Sequence, residues 1–249
     1  MDKQYYKDYY RLEREHWWFT AREAILKNII ERKVNTTKPL RILNIGTATG
    51  AGTVMLSQFG KVTSIEYDED CCEFLNKELN IPTQQGSITE LQFADNSFDL
   101  VCAFDVIEHV EDDAKAASEM LRVCAKDGFV FCTVPAFMLL WSEHDVINHH
   151  CRRYKINQFR SLFKVSNSQV VFKSYFNFFF FMPIATVRIL LWPFQKNKIK
   201  SKANAESDFA RFNTGLLNKI FHIIFLLERS LLKAIRFPFG VSISLMIKK

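Results

Sequence analysis

The stretch "RILNIGTATGAG", residues 41–52, indicates how this chain folds. Its first half is a short apolar run, which is typical of a buried β-strand. Its second half holds three glycines within seven residues. Such a turn after a strand brings backbone N–H groups close to the polar end of a bound cofactor. The stretch therefore predicts an α/β domain with a ligand site directly after its first strand.

Strand-like and helix-like segments alternate along the chain on both sides of this stretch. The strand-like segments are continuous apolar runs, which indicates a parallel sheet that is buried on both faces. The alternation predicts an α/β fold with a doubly wound, mostly parallel, seven-stranded sheet of the Rossmann-like kind. The predicted strands are "RILNI", "KVTSIEY", "TQQGS", "FDLVCAFDV", "FVFCTVP", "QVVFKSYF" and "SISLMIKK".

Two sequence patterns mark the N-terminal part of the chain. Thr20 and Glu23 form a capping-box pattern, which predicts that a helix starts there. The adjoining "HWWF" would be costly to expose, so we expect it to pack against another part of the chain.

The predicted segments of the chain are N-terminal lid helices (1–35), a cofactor-binding core (36–175), a hydrophobic helical insertion before the last strand (176–240) and the final core strand (241–249).

The charges are distributed unevenly between the two parts of the chain. Residues 1–150 contain 15 Lys and Arg against 24 Asp and Glu, whereas residues 151–249 contain 18 against 3. The basic part is also rich in phenylalanine, which favours an anionic lipid surface over nucleic acid as a partner. A solvated basic face explains the same excess and is the alternative.

The glycine-rich turn restricts the kind of cofactor. A dinucleotide-binding turn has glycine at three positions, where this chain has Gly46, Ala48 and Ala51, so a pyrophosphate would be crowded. The lysine of a phosphate-binding P-loop is also missing. S-adenosylmethionine carries no phosphate and needs only a tight turn with exposed backbone groups, which Gly46 and Gly50 supply. Glu66, 20 residues after Gly46, can accept hydrogen bonds from ribose hydroxyls.

With these residues the chain resembles class I S-adenosylmethionine-dependent methyltransferases (types 11 and 23), in the subgroup that includes quinone-biosynthesis and related small-molecule or lipid methyltransferases. The resemblance covers residues 15–175 and the last strand. It rests on "ILNIGTATG", "VTSIEYDED", "GSITELQFADNSFDLVCAFDVIEHVEDD" and "LRVCAKDGFVFCTVPA". "HWWFTAR" and "WSEHDVINHHCRRY" resemble motifs of a narrower subgroup that often has a hydrophobic C-terminal region.

The resemblance implies a cofactor-binding role for ten residues. Glu66 would hold the ribose and Tyr67 would pack on the adenine, while Phe104 and Asp105 would line the floor near the transferring methyl group. Arg22 would pair with the cofactor carboxylate, unless it is an ordinary arginine on the surface of its helix. The ten residues are Arg22, Gly46, Thr47, Gly50, Glu66, Tyr67, Ser87, Ile88, Phe104 and Asp105.

Three residues depart from the family's pattern. The family usually has an acidic residue at the position of Asn44, a glycine at Ala48, and an aspartate that contacts adenine at Ser87. Asn and Ser still form hydrogen bonds, so we expect the cofactor to bind more weakly than is typical. The same departures favour an alternative function, that of a non-catalytic regulatory or scaffold protein that binds S-adenosylmethionine.

The loop after the fifth strand is polar, aromatic and histidine-rich, as expected where a methyl acceptor enters. In-line methyl transfer to a hydroxyl or an acidic carbon needs a base, and His144 and His150 are the candidates, with Asp145 orienting one of them. Structural hydrogen bonding by these side chains is the alternative. No metal site is predicted, because the cluster lacks a His-Glu-x-x-His spacing, although metal binding stays open. His109 is predicted to be structural or to line the pocket wall.

Two apolar segments, 176–193 and 216–235, separate the last two strands. Both contain charged residues and fall short of the about 20 uninterrupted apolar residues that a spanning helix needs. We expect them to lie in a membrane interface, because the five phenylalanines within 176–181 are hard to place on one side of a core helix. A hairpin packed on the core or on a second subunit is the alternative, and 196–208 is predicted to be a basic connection.

The expected function is methyl transfer to a small lipophilic or lipid-linked acceptor. A soluble small-molecule methyltransferase that dimerises through its C-terminal region is an alternative, and the oligomeric state stays open. The N-terminus is too polar for a signal peptide, and the six cysteines form no C-x-x-C pair. We therefore expect a cytoplasmic protein, with peripheral attachment to the inner face of the cell membrane as an option.

Overall fold

Seven strands form one sheet in the structure, a computed structural model that describes residues 3–35, 37–164, 168–195 and 215–249. They are β1 (Leu40–Ile45), β2 (Gly60–Glu66), β3 (Thr83–Gln85), β4 (Phe98–Phe104), β5 (Cys124–Pro135), β6 (Gln169–Phe176) and β7 (Ser242–Lys248). Their order is β3-β2-β1-β4-β5-β7-β6. Strands β1 to β5 are parallel, and β7 runs antiparallel between β5 and β6. The predicted doubly wound, mostly parallel sheet is confirmed.

Helices connect the strands and precede the sheet. The helices within the described ranges are α1 (Lys3–Glu15), α2 (Trp17–Lys33), α3 (Ala51–Leu56), α4 (Glu69–Glu78), α5 (Asp113–Val123), α6 (Glu143–Ile147), α7 (Ile156–Ser161), α8 (Phe181–Gln195) and α9 (Gly215–Leu231). Short 3₁₀ turns cover Ile107–His109 and Met138–Leu140. The carboxyl ends of the parallel strands, where ligands bind in this type of sheet, are followed by the loops that carry most of the predicted site residues.

The start of α2 differs from the prediction. The helix begins at Trp17, and its N-cap is His16, whose Nδ1 accepts a hydrogen bond from Trp18 N at 3.2 Å. The hydroxyl of Thr20 lies inside the helix and donates to the carbonyl oxygen of His16. The capping box at Thr20 and Glu23 is therefore wrong, because a histidine supplies the cap four residues earlier.

The aromatic segment "HWWF" packs where it was expected to pack. Trp17 is buried, and its ring lies 4.8 Å from that of Phe180 and 5.5 Å from that of Phe221 on α9 (centroid distances). Asn218 of α9 accepts a hydrogen bond from Trp17 N at 2.7 Å. Helix α2 thus lies between the sheet and the insertion.

The five phenylalanines of 176–181 all contact other aromatic rings of the chain. Two of them stack, Phe176 on Phe225 and Phe178 on Phe237, the latter with centroids 4.6 Å apart. Phe176 is fully buried, and among the five only Phe179 is exposed, at 39%. The premise that these side chains are hard to pack within the chain is wrong, because four of the five are buried or half-buried.

The insertion between β6 and β7 consists of α8 and α9 in its described part, and the predicted basic connection at 196–208 lies outside the described residues. Within the described ranges, no helix combines the length and apolarity needed to cross a bilayer. The cysteines are all free thiols, and five of them are buried, with Cys151 exposed.

Candidate cofactor and acceptor site

The glycine-rich turn after β1 adopts a backbone that requires glycine. Gly46 and Gly50 have φ angles of +72° and +90°, which side chains of other residues disfavour. A Cβ atom on Gly46 would lie 2.4 Å from a methyl carbon of Val106, and one on Gly50 would lie 2.4 Å from Ile81 Cδ1. The turn is therefore closely packed against Val106 and Ile81, and within it Gly46 and Ala48 are half-buried whereas Gly50 is buried.

Glu66, at the end of β2, is bound to this turn. Its Oε2 accepts a hydrogen bond from Ala48 N at 3.0 Å, and its Oε1 accepts from Tyr67 N at 2.8 Å and Asp68 N at 3.3 Å. A carboxylate has about four acceptor positions, so Glu66 keeps the capacity to accept from a hydroxyl group. The predicted ribose-binding residue and the predicted turn thus lie together.

The residues predicted to surround adenine lie beside Glu66. The Tyr67 side chain is 78% exposed, which leaves its ring available for stacking. Gly86 N donates to the carbonyl oxygen of Glu66 at 2.9 Å, which fixes the segment after β3 next to β2. The Ser87 hydroxyl lies 2.8 Å from that of Thr89, whereas the Ile88 side chain is buried in the core and can border a ligand only through its backbone.

Asn44 has a structural role in this arrangement. Its side chain is buried and donates to the hydroxyl of Thr53 at 3.0 Å, and that hydroxyl lies 2.8 Å from the hydroxyl of Ser64. The amide therefore connects β1, α3 and β2 beneath the turn.

Arg22, predicted to pair with the cofactor carboxylate, instead forms an ion pair at 2.5 Å with Asp105, predicted to line the floor near the transferring methyl group. The hydroxyl of Thr133 accepts from Arg22 at 3.2 Å and donates to Asp105 at 3.1 Å. The Nε atom of Arg22 is buried and has no hydrogen-bond partner within the part of the chain that the structure describes. Arg22 and Phe104 line the same cavity beside the turn.

Glu13, which the sequence analysis did not single out, lies on the other side of the same cavity. Its carboxylate accepts hydrogen bonds from the hydroxyl of Thr49 and from Ala51 N. Burial raises the pKa of Glu13, although the Thr49 hydrogen bond and the nearby Arg14 oppose this effect. A glutamate in a polar, N-terminal helix gives no signal in the sequence, because its position over the turn depends on how α1 packs.

The loop after β5 brings two of the three predicted catalytic residues into contact. His150 Nδ1 lies 2.8 Å from Asp145 Oδ1, whereas the ring of His144 is 5.9 Å from that of His150, measured between centroids. Asp145 is fully buried and also binds Arg153, whose Nε lies at 2.7 Å. Burial opposes ionisation of Asp145, but the hydrogen bond from His150 and the Arg153 charge outweigh it and hold its pKa well below the ordinary value.

His109 and Glu108, in the 3₁₀ turn after β4, complete this side of the site. The His109 ring lies 4.6 Å from the His150 ring, edge to face. Desolvation by its surroundings lowers the pKa of His109 to about 4, although part of the residue remains exposed to solvent. Glu108 is fully buried, and burial together with the Asp105 carboxylate raises its pKa well above the ordinary value.

Known methyltransferases resemble this chain in sequence. Residues 43–132 match the sequence model of a family described as a methyltransferase domain. A probable S-adenosylmethionine-dependent methyltransferase of Mycolicibacterium smegmatis is 27% identical over 126 residues, which cover 50% of this chain and 48% of that protein. A demethylmenaquinone methyltransferase of Staphylococcus aureus is 29% identical over 127 residues, which cover 45% of this chain and 53% of that protein. The chain spans about half the length of the curated relatives it matches.

The fold is likewise that of known methyltransferase structures. The crystal structure of a putative sarcosine dimethylglycine methyltransferase from Galdieria sulphuraria covers 92% of this chain and 85% of its own, with a TM-score of 0.55 and 16% identity. Residues 43–132 thus match a methyltransferase-domain family, the sheet has the Rossmann-like fold of solved methyltransferases, and family match and fold imply S-adenosylmethionine as the cofactor. The residues present fit this cofactor, because Glu66 keeps acceptor capacity and the buried Arg22 Nε keeps a donor.

Proposed function

We propose that this chain transfers the methyl group of S-adenosylmethionine to a small lipophilic or lipid-linked acceptor. The observation that carries the proposal is Glu66, which binds the glycine-rich turn through Ala48 N and keeps acceptor positions for ribose hydroxyls. The name of the demethylmenaquinone methyltransferase supports a lipophilic acceptor, because a quinone with an isoprenoid tail is such a molecule.

In this proposal the N-terminal helices and the turn hold the methionine end of the cofactor. Arg22 Nε would donate to its carboxylate and Glu13 would accept from its ammonium group, since both line one cavity beside the turn. Gly46, Thr47 and Gly50 would contribute backbone groups. The adenine would be bordered by Tyr67, Ser87 and the Ile88 backbone.

The bound cofactor supplies a methyl group that is activated by a sulfonium charge. The chain itself has to orient the acceptor and exclude water. Phe104 and Asp105 would form the floor, and Arg22 fixes Asp105 through their ion pair. On the acceptor side His150 would contact the reacting group, with Asp145 as a positioning residue and His144 bordering the entrance.

The insertion would place this site at an anionic membrane surface. The outer face of α9 exposes apolar side chains at Leu216, Ile220, Ile223 and Leu227, a spacing that puts them on one side of a helix. Basic residues such as Lys219 lie next to them. Apolar area flanked by positive charge is the pattern of helices that lie in the interface of anionic membranes. Residues 1–35 would serve as the lid and 36–175 with 241–249 as the catalytic core.

A calorimetric titration with S-adenosylmethionine tests the cofactor site. Glu66→Ala removes a charged acceptor, so we expect binding to weaken by about 1.5–3 kcal/mol. Glu31→Ala, which removes an exposed carboxylate on α2, is the matched control and should bind like the wild type. Unchanged affinity in Glu66→Ala, with an unaltered unfolding curve, would refute the assignment of Glu66.

A labelled-methyl assay on a lipid extract tests catalysis. The proposal predicts label in the lipophilic fraction that depends on the chain and is lost with Glu66→Ala. Binding of S-adenosylmethionine without transfer to any lipid or small molecule would instead favour the non-catalytic regulatory protein.

A further inference from the structure

Three potential metal-ligand side chains meet at the acceptor side of the sheet. Glu108 and His109 lie in the 3₁₀ turn after β4, and His150 lies in the loop after α6. One ligand atom from each residue lies within 4.8 Å of those of the other two. The loop is fixed to the turn by a hydrogen bond from Cys151 N to the carbonyl oxygen of Glu108 at 2.7 Å.

Glu108 has a buried carboxyl group with which no side chain of the described residues forms a hydrogen bond or an ion pair. Its side chain is fully buried, and neither oxygen has a hydrogen-bond partner from any other described residue. The nearest guanidinium groups, those of Arg22 and Arg153, bind Asp105 and Asp145 instead. A buried carboxyl group without a partner is unfavourable as an anion, and a bound cation would stabilise that anion.

His150 is held in the orientation of a metal ligand. Its Nδ1 faces Asp145, which leaves Nε2 as the ring nitrogen available to the cluster. Asp145 is fixed in turn by Arg153, with Nη2 at 3.0 Å, and by Ser142 N at 2.8 Å. Histidines that bind metals usually donate their second nitrogen to a carboxylate in this way.

We propose that Glu108, His109 and His150 bind one divalent transition-metal ion, with Zn²⁺ as the preferred ion. Two imidazoles and one carboxylate suit Zn²⁺ and Fe²⁺, whereas Mg²⁺ and Ca²⁺ prefer all-oxygen sites. The partly exposed His109 leaves a path for the ion to enter.

Three protein ligands leave coordination positions open. Resting on the proposed function, these positions would take a hydroxyl or enol oxygen of the acceptor and lower its pKa, so that the acceptor gives its proton to water. The resulting oxyanion would then form a bond to the methyl carbon as the bond from that carbon to the sulfonium sulfur breaks and S-adenosylhomocysteine leaves. Acceptors that bind through such an oxygen form the expected substrate class. His150 would then act on the acceptor through the ion, and the sequence analysis, which predicted no metal, missed the site because its ligands come from two distant loops.

Metal binding is tested on chelator-treated full-length protein with Zn²⁺ and with Co²⁺ as a spectroscopic probe. The wild type should bind one equivalent, and Co²⁺ should give visible d–d absorption. Glu108→Gln and His150→Ala should each weaken Zn²⁺ binding by more than about 100-fold, and Asp145→Asn by about 10–100-fold. His149→Asn removes an exposed neighbouring histidine and should bind Zn²⁺ like the wild type.

Thermal unfolding shows that the variants are folded. Zn²⁺ should raise the Tm of the wild type and not that of Glu108→Gln, whose Tm without metal should at least equal that of the wild type. The proposal is overturned if the metal-free wild type binds neither ion, or if Glu108→Gln still binds Zn²⁺ like the wild type. Stoichiometric Zn²⁺ binding without any methyl transfer would support this site and refute the proposed function.

Discussion

Two fully buried carboxylates near the acceptor side differ in their partners. Asp145 receives hydrogen bonds from Ser142, His150 and Arg153, whereas Glu108 receives none from the other described residues. A buried acid with that many donors is a fixed structural anion, because each donor favours the charged form. Asp145 therefore holds the loop, whereas Glu108 is available to a ligand.

Removing the partner of Asp145 should therefore be costly. Arg153→Met leaves this carboxylate buried without its cation, and we expect the free energy of unfolding to fall by about 3–5 kcal/mol. Arg152→Met is the matched control, since the neighbouring arginine forms a partly exposed pair with Asp113 at 2.7 Å and should cost at most about 1 kcal/mol. Urea unfolding measures both, and equal losses would contradict the assigned role of Arg153.

His16 makes the stability of the chain depend on pH. Burial lowers its pKa to about 4, and its Nδ1 must stay unprotonated to accept from Trp18 N. The unfolded chain, with a pKa of about 6.5, then binds the proton more readily, so stability falls as the pH drops from about 6.5 toward 4, by roughly 3 kcal/mol in total.

The contribution of His16 is measured by difference. His16→Asn keeps an acceptor at the N-cap but does not titrate, so its unfolding free energy should decline less between about pH 7 and 4.5. His222→Asn removes a half-buried histidine and is the matched control. Other groups, among them His109, titrate alike in all three proteins. Parallel curves for all three would show that His16 is not the group concerned.

At the scale of elements, strands were easier to predict than helix starts. Most of the strands are indicated by a local run of apolar residues, and all seven predicted strands occur in the sheet, including the polar β3 and the antiparallel β7. The start of α2 was misplaced because Thr20 and Glu23 match a capping pattern that the structure does not use, while His16 is an uncommon cap. The phenylalanines of 176–181 were misread because their partners, such as Phe237, lie far along the chain.

Helix α9 holds the start of the insertion through one side chain. Glu228 is fully buried and accepts hydrogen bonds from Asn177 N and Phe178 N, each at 2.7 Å, and from Phe179 N at 3.2 Å. Glu228→Ala leaves three backbone donors without this acceptor, so we expect a loss of at least about 2 kcal/mol in unfolding free energy.

The conservative variant Glu228→Gln is the control, because it keeps one acceptor oxygen and should cost clearly less in the same urea unfolding experiment. If both substitutions cost the same, the negative charge and not the hydrogen bonds would account for the stabilisation.

At the scale of the whole molecule, the sequence predicts the part of the site whose residues lie close together along the chain. The glycine-rich turn and Glu66 lie within one strand–helix–strand unit, so spacing alone indicated their proximity. Glu13, Glu108 and the Arg22–Asp105 pair are brought in by packing of α1, α2 and the loop after β4. No local sequence pattern encodes such contacts. Glu13 and Glu108 were therefore missed, and Arg22 was predicted to pair with the cofactor carboxylate.

The two faces of α9 differ in burial, although both are apolar. Its inner face packs on α2, with Phe225 fully buried 5.9 Å from the Trp17 ring (centroid to centroid), while apolar side chains also cover its outer face. The packed-hairpin alternative thus accounts for the inner face only. In the membrane proposal, the lipid surface covers the outer face, which is defined by Leu216, Ile220, Ile223 and Leu227.

Vesicle flotation of the full-length protein tests that outer face. We expect binding to anionic vesicles that exceeds binding to neutral ones and weakens with salt, because the Debye length shrinks to about 3 Å at 1 M. Replacing Leu216, Ile220 and Ile223 with serine removes exposed apolar area without touching the inner face, so it should release the protein from vesicles while S-adenosylmethionine binding persists. Val54→Ser, at an exposed apolar residue on α3, should leave flotation unchanged. The membrane proposal is refuted if the wild-type protein does not float with anionic vesicles. If the wild type instead forms a concentration-dependent dimer that the triple variant does not form, the outer face belongs to an interface with a second copy of the chain.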